Sequence, residues 1–248
     1  MRTHQQPSYI LLNRPYSETS WIVEVFSREY GRIALMAKGA RRIKSKLKSV
    51  LMPFQPTLLS WTGKGEVPTL TAAEIDLSDF NVYVQEMTGD ALVCGFYCNE
   101  LLTRLLHRHD PHHDLFDRYH QTIKSLSDPE NASRLSSVLR GFERTIIKET
   151  GYEVNFVHES DGKTPLRDDG HYQFHAGQGF IRMPHPHNNT VSGSTIRAMS
   201  VGMDENTPPH QQAQGKRIMR DILRHSLGHK EIVSRALFYP KAKPQPPK

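Results

Sequence analysis

From about residue 83 the apolar pattern changes from short runs to a spacing of three and four, and no other feature limits the possible folds of this chain as much. Before that point the apolar runs are short. Tyr9-Ile10-Leu11-Leu12 is ended by Asn13-Arg14-Pro15. Residues 20–27 carry Trp21, Ile22, Val23, Val25 and Phe26, and Tyr30-Gly31 marks a turn. Ile33, Ala34, Leu35 and Met36 form a third run. Residues 57–61 and 67–75 supply two more, separated by Thr62-Gly63-Lys64-Gly65. β-Branched and aromatic runs bounded by glycine-bearing turns read as strands. Five such strands suggest a small barrel, of the oligonucleotide-binding or the SH3-like kind, which periodicity alone does not separate.

Beyond residue 83, Ala91, Leu92, Gly95, Cys98, Leu101, Leu102, Leu105 and Leu106 recur at helical spacing. Residues 112–126 repeat the pattern with Leu115, Phe116, Tyr119, Ile123 and Leu126. Asp128-Pro129-Glu130-Asn131 breaks the chain. Residues 133–150 then form a third helix, with Gly151 placed as its C-terminal cap. Residues 152–190 look irregular, with weak strands at 171–174 and 179–182 around a Gly177-Gln178 turn. Helices are expected near 194–200, 210–227 and 230–238, and a disordered tail over 241–248. The fold class is therefore α+β. A five-stranded barrel domain over 1–80 precedes a helical domain over 81–240, which carries a small irregular insertion at 157–190. The 248 residues suffice for two such domains.

Charge is unevenly placed. Residues 1–80 hold 11 basic and 7 acidic side chains, whereas residues 38–48 hold six basic and none acidic. The local excess exceeds that of the whole first third, which points to a surface facing a polyanion. In Lys38-Gly39-Ala40-Arg41-Arg42-Ile43-Lys44-Ser45-Lys46-Leu47-Lys48, cations can neutralise phosphates and release their condensed counterions. A solvated loop or a membrane-surface patch would have the same composition. Its place between strands of a barrel favours nucleic acid, because such barrels hold strands on loops and one sheet face. Tyr16 and Tyr30, near turns, are the aromatics best placed to stack on bases.

Other chemistry finds less support. The histidines include His107, His109, His112 and His113 around a turn and His185-Pro186-His187, but no cysteine pairs accompany them, and neither a metal nor a cofactor is expected. Cys94 and Cys98, four apart on a helix, share a face without disulfide geometry. They read as core thiols in a reducing compartment. No Gly-x-Ser-x-Gly, phosphate-binding loop or His-Glu-x-x-His occurs. Neither a signal peptide's apolar stretch nor a membrane-length apolar run is present, so a cytoplasmic protein is expected.

In order along the chain, Arg14-Pro15-Tyr16-Ser17-Glu18-Thr19-Ser20, Gly31-Arg32 and Ala37-Lys38-Gly39-Ala40-Arg41-Arg42 resemble the N-terminal signature of the RecO family. The likeness continues through Leu51-Met52-Pro53-Phe54-Gln55-Pro56, Gly65-Glu66-Val67, Tyr97-Cys98-Asn99-Glu100-Leu101-Leu102, Phe142-Glu143 and Gly151-Tyr152-Glu153-Val154-Asn155-Phe156. It is thinner beyond, at Gly179-Phe180-Ile181 and Ser234-Arg235-Ala236-Leu237-Phe238.

The resemblance implies an oligonucleotide-binding barrel in front of a helical domain. It implies a non-enzymatic bacterial mediator of DNA repair and homologous recombination. Such a protein binds single- and double-stranded DNA, anneals complementary strands, and with RecR helps load RecA onto DNA coated with single-stranded DNA-binding protein. Many members carry a four-cysteine zinc module after the Gly-Tyr motif. This chain has His158 there without the cysteines, so residues 157–190 are expected to keep a degenerate, metal-free version. Carried over residue by residue, the DNA-facing set is Lys38, Arg41, Arg42, Lys44, Lys46 and Lys48, with Arg14 and Arg32 at matching signature positions. The site for the acidic C-terminal tail of single-stranded DNA-binding protein corresponds to Arg140, Phe116, Tyr119, Leu139 and Phe142. An apolar pocket rimmed by arginine suits a carboxylate-ended apolar tail. The competing readings are a metal-dependent nuclease, which needs converging carboxylates, and an RNA-binding barrel module.

Overall fold

The computed structural model describes residues 2–78, 87–152, 154–204, 206–228 and 231–234. These described residues form two compact units, one of those up to 132 with 232–234 and one of those within 133–231. Among the described residues, no helix is long and apolar enough to cross a membrane.

In the first unit, β1 (Arg2–Pro15), β2 (Trp21–Ser27), β3 (Gly31–Ala37), β4 (Pro56–Thr62) and β5 (Thr69–Ile75) close into a barrel in the order β1-β2-β3-β5-β4. The short apolar runs thus form an oligonucleotide-binding-type barrel. Closure comes from two places. β1 is long enough to pair with β4 through its first half (Thr3 opposite Trp61) and with β2 through its second (Asn13 opposite Val23). β3 and β5 meet in parallel at Met36 and Thr69, where the Met36 amide donates to the Pro68 carbonyl at 2.8 Å. The sequence marks only residues 9–12 of β1. Its first half is polar, and Thr3 and Ser8 take the buried places there.

β2 is buried on both faces. Val23 and Val25 join Ile10, Ile33, Leu35 and Leu59 inside the barrel. On the outer face, Phe26 lies 5.4 Å from Phe116 and 6.2 Å from Tyr119, ring centre to ring centre. Those two residues belong to α3 (His113–Ser127), which follows α2 (Gly89–Leu105). A two-sided strand reads as a continuous apolar run, which is why residues 20–27 stand out in the sequence.

Polar residues fix the helices to the barrel wall. The buried Asn99 amide donates to the Leu11 carbonyl at 3.0 Å and accepts from the Tyr119 hydroxyl at 2.6 Å. Burial holds the Tyr119 phenol well above its usual pKa. The Glu100 carboxylate accepts from the amides of Val233 and Ser234 at 2.8 and 2.7 Å, and Arg104 pairs with it. Cys94 and Cys98 are both buried as thiols.

In the second unit, α4 (Leu135–Glu149) ends at Gly151, with φ of 77°. The Gly151 amide donates to the Lys148 carbonyl and the Tyr152 amide to the Ile147 carbonyl, a Schellman cap as the sequence led one to expect. β6 (His171–His175), β7 (Gly179–Met183) and β8 (Thr190–Ser192) form an antiparallel sheet ordered β7-β6-β8. β8 has three residues, too few for a legible pattern. Phe180 gathers Phe156 and Phe174 around it. α5 (Gly193–Val201) starts on a Ser192 cap, and α6 (Pro209–Ser226) buries Ile218, Met219, Ile222 and Leu223. The helix expected at 230–238 lies largely outside the described residues, and Glu231–Ser234 within it are not helical. The expected tail at 241–248 also lies outside them.

Candidate nucleic-acid interface

The basic segment is the connection from β3 towards β4. It is wound by successive turns, in which the Arg42 amide donates to Gly39 and the Ser45 amide to Arg42, each at 3.1 Å. Gly39 sits at φ of 73°, a conformation that favours glycine. Ala40 and Leu51 are fully buried in the barrel core, and the short helix α1 (Leu47–Val50) lies between them. Apolar anchors at both ends thus leave the polar residues outside. Lys38, Arg41, Arg42, Lys44, Lys46 and Lys48 are all exposed. The loop is also tied to the β1–β2 turn. The Arg41 amide donates to the Thr19 carbonyl at 2.9 Å, and its guanidinium donates to the Ser17 carbonyl.

The electrostatics follow from what is absent. Among the described residues, no carboxylate pairs with Lys38, Arg42, Lys44, Lys46 or Lys48. Their charge faces solvent uncompensated. Arg14 is exposed on β1. Arg32 is engaged otherwise. Its guanidinium donates to the Thr103 carbonyl at 2.6 Å and lies 4.0 Å from Glu24, a buried carboxylate that Arg108 also pairs with. Burial lowers the Arg32 pKa against the pull of Glu24, with the charges of Arg108 and Arg14 adding to the lowering.

The two tyrosines separate. Tyr30 packs edge-on against Trp61 at 5.1 Å and belongs to the fold. Tyr16 is 63% exposed on the turn that holds the basic loop. Ile43, which sequence reasoning passed over, is 95% exposed among the cations. Alternation could not single it out, because a wound loop has no strand period.

The five residues assigned to the tail site fall into different packing environments. Phe116 and Tyr119 are buried in the first unit against Tyr9, at 5.7 and 5.0 Å between ring centres, and against Phe26. Leu139 and Phe142 are buried in the second unit. Arg140, paired with the fully buried Glu143, borders a cleft of about 60 Å³ with Arg134, Lys216, Met203, Gln212 and the acidic Asp204. Arg134 and Lys216 were not singled out by the sequence. Lys216 comes from 76 positions beyond Arg140, a distance no local pattern spans.

Residues 155–166 form a turn held by hydrogen bonds. Asp161 accepts from the Thr164 hydroxyl and from the amides of Lys163 and Thr164, which lower its pKa to about 2. His158 and Pro165 bridge the base of this turn. Among the described residues, no three potential metal ligands converge.

Comparison with known proteins gives concordant matches. The family model described as "Recombination protein O N terminal" matches residues 1–77, and "Recombination protein O C terminal" matches residues 87–236. A DNA repair protein RecO of Nitrosospira multiformis is 41% identical over 240 residues, covering 96% of this chain and 95% of the relative. One from Dechloromonas aromatica is 37% identical over 239 residues, covering 96% of each. One from Nitrosococcus oceani is 38% identical over 240 residues, covering 96% and 94%.

Proposed function

This chain belongs to the RecO family of DNA repair proteins, and from that premise we propose that it holds DNA on the β3–β4 loop, anneals complementary strands and helps load RecA. The family is one of non-enzymatic recombination mediators. The observation that carries the reading is the loop's uncompensated charge: five exposed cations with no carboxylate partner among the described residues. Lys38, Arg42, Lys44, Lys46 and Lys48 contact phosphates, with Arg41 and Arg14 beside them. Tyr16 offers a ring to an unpaired base, and Ile43 an apolar tip. Annealing follows because positive charge on the protein lowers the repulsion between two strands.

The Arg140 cleft serves a different role in this reading. Arg134, Arg140 and Lys216 supply positive charge for the acidic tail of single-stranded DNA-binding protein, with Met203 as an apolar contact. RecR is the expected partner on the DNA, and the bacterial cytoplasm the expected site of action.

Annealing of labelled complementary strands, bare and coated with single-stranded DNA-binding protein, separates the two roles. Lys44→Gln/Lys46→Gln/Lys48→Gln is expected to slow annealing of both substrates about tenfold or more. Arg134→Gln is expected to slow only the coated one. A loop variant that anneals bare strands at the wild-type rate would overturn the DNA-binding assignment. Equal effects of the cleft variant on both substrates would overturn the tail assignment.

A further inference from the structure

The second unit carries a cationic surface of its own. Residues 133–231 have a net excess of two positive charges, whereas α6 alone has an excess of three: Lys216, Arg217, Arg220 and Arg224 against Asp221. The buried face of α6 is Gly215, Ile218, Met219, Ile222 and Leu223. Lys216, Arg220 and Arg224 lie on the face away from it, all exposed and four residues apart. Four residues of α-helix rise about 6 Å, of the order of the step between successive phosphates on an extended strand.

What these side chains do not do is equally informative. Elsewhere in the unit, Arg167 pairs with Asp169 at 2.9 Å and Arg197 with Asp168 at 2.8 Å, whereas the exposed Arg182 has no ion pair among the described residues. Arg217 donates to the backbone carbonyls of Asn188 and Thr190. Lys216 and Arg220 have no ion pair or hydrogen-bond partner among the described residues. Arg224 has only Asp221 at 3.9 Å, beyond hydrogen-bond reach. Part of the charge at the end of α6 stabilises the helix, since Arg224 and His225 sit in its last turn. That role does not account for Lys216 and Arg220, further back along the helix.

We propose that the Lys216–Arg220–Arg224 row of α6 is a second phosphate-binding surface, which holds the backbone of a second single strand. The proposal rests on the reading of the β3–β4 loop as the first strand's site. It gives annealing a physical basis, with one strand on each surface. Lys216 heads the row and also borders the Arg140 cleft, so the test leaves it unchanged.

The experiment counts non-complementary oligonucleotides of about ten nucleotides bound per protein at low salt, by sedimentation. Wild type is expected to bind two, Arg220→Gln/Arg224→Gln one, and Arg220→Lys/Arg224→Lys two. The Gln variant is expected to bind the acidic tail peptide as wild type does, which serves as its folding control. One strand on wild type, or two on the Gln variant, overturns the proposal while leaving the loop assignment standing. Loss of both strands in the Lys44→Gln/Lys46→Gln/Lys48→Gln variant confines all binding to the loop and also overturns it. No strand on wild type overturns the reading of the loop itself.

Discussion

A single glycine illustrates what a sequence does and does not declare. Gly31 was legible as a turn residue next to Tyr30, and its φ of 64° accounts for that. Its second constraint was not legible. A Cβ at Gly31 would lie 2.0 Å from the Asp110 carbonyl oxygen, so the β2–β3 turn and the α2–α3 connection meet there without room for a side chain. Gly31→Ala is therefore expected to destabilise the protein by about 3 kcal/mol, measured by denaturant unfolding. A loss below about 1 kcal/mol, the ordinary cost of replacing glycine at positive φ, would show that the close approach relaxes. Arg32 beside it shows the limit of a basic residue read from sequence. Its signature position marks it as a DNA contact, yet its guanidinium donates to the carbonyl of Thr103, 71 residues on, and lies 4.0 Å from Glu24.

Among the elements, apolar pattern and legibility run together. β2, buried on two faces, and α3, whose apolar positions face the barrel, were visible from spacing. The first half of β1 and the three residues of β8 were not, because the first buries polar Thr3 and Ser8 and the second is too short to show a period. The return of residues 232–234 to α2 was invisible too, since it rests on backbone amides meeting one carboxylate. Burial alone would raise the Glu100 pKa. Hydrogen bonds from Ser234 and Val233 and the charge of Arg104 outweigh it, so the folded value lies below that of an ordinary glutamate. A depressed carboxylate stabilises the fold fully above its unfolded pKa, and that contribution fades as pH falls through the folded value. Amide-exchange protection at Val233 and Ser234, corrected for intrinsic rates, is expected to be high near neutral pH. It is expected to fall as pH drops through the depressed folded value of Glu100, and to be low at all pH values in Glu100→Gln. Protection in Glu100→Gln equal to wild type would contradict this account of the segment.

For the molecule as a whole, the α+β class, the barrel and the outward loop charge were all readable in the chain. Each depends on neighbours in sequence: strand runs, turn glycines and a run of cations. The cleft proposed for the tail was not readable, because Arg140 and Lys216, which border it, come from α4 and α6. The central claim concerns the loop, and its salt response is the most direct measure of it. If five cations meet phosphates, the logarithm of affinity for a single-stranded oligonucleotide falls against the logarithm of salt with a slope of about −3.5, from about −0.7 per contact. Lys44→Gln/Lys46→Gln/Lys48→Gln is then expected to flatten the slope to about −1.4. A slope unchanged by the triple substitution would mean that the strand is held elsewhere.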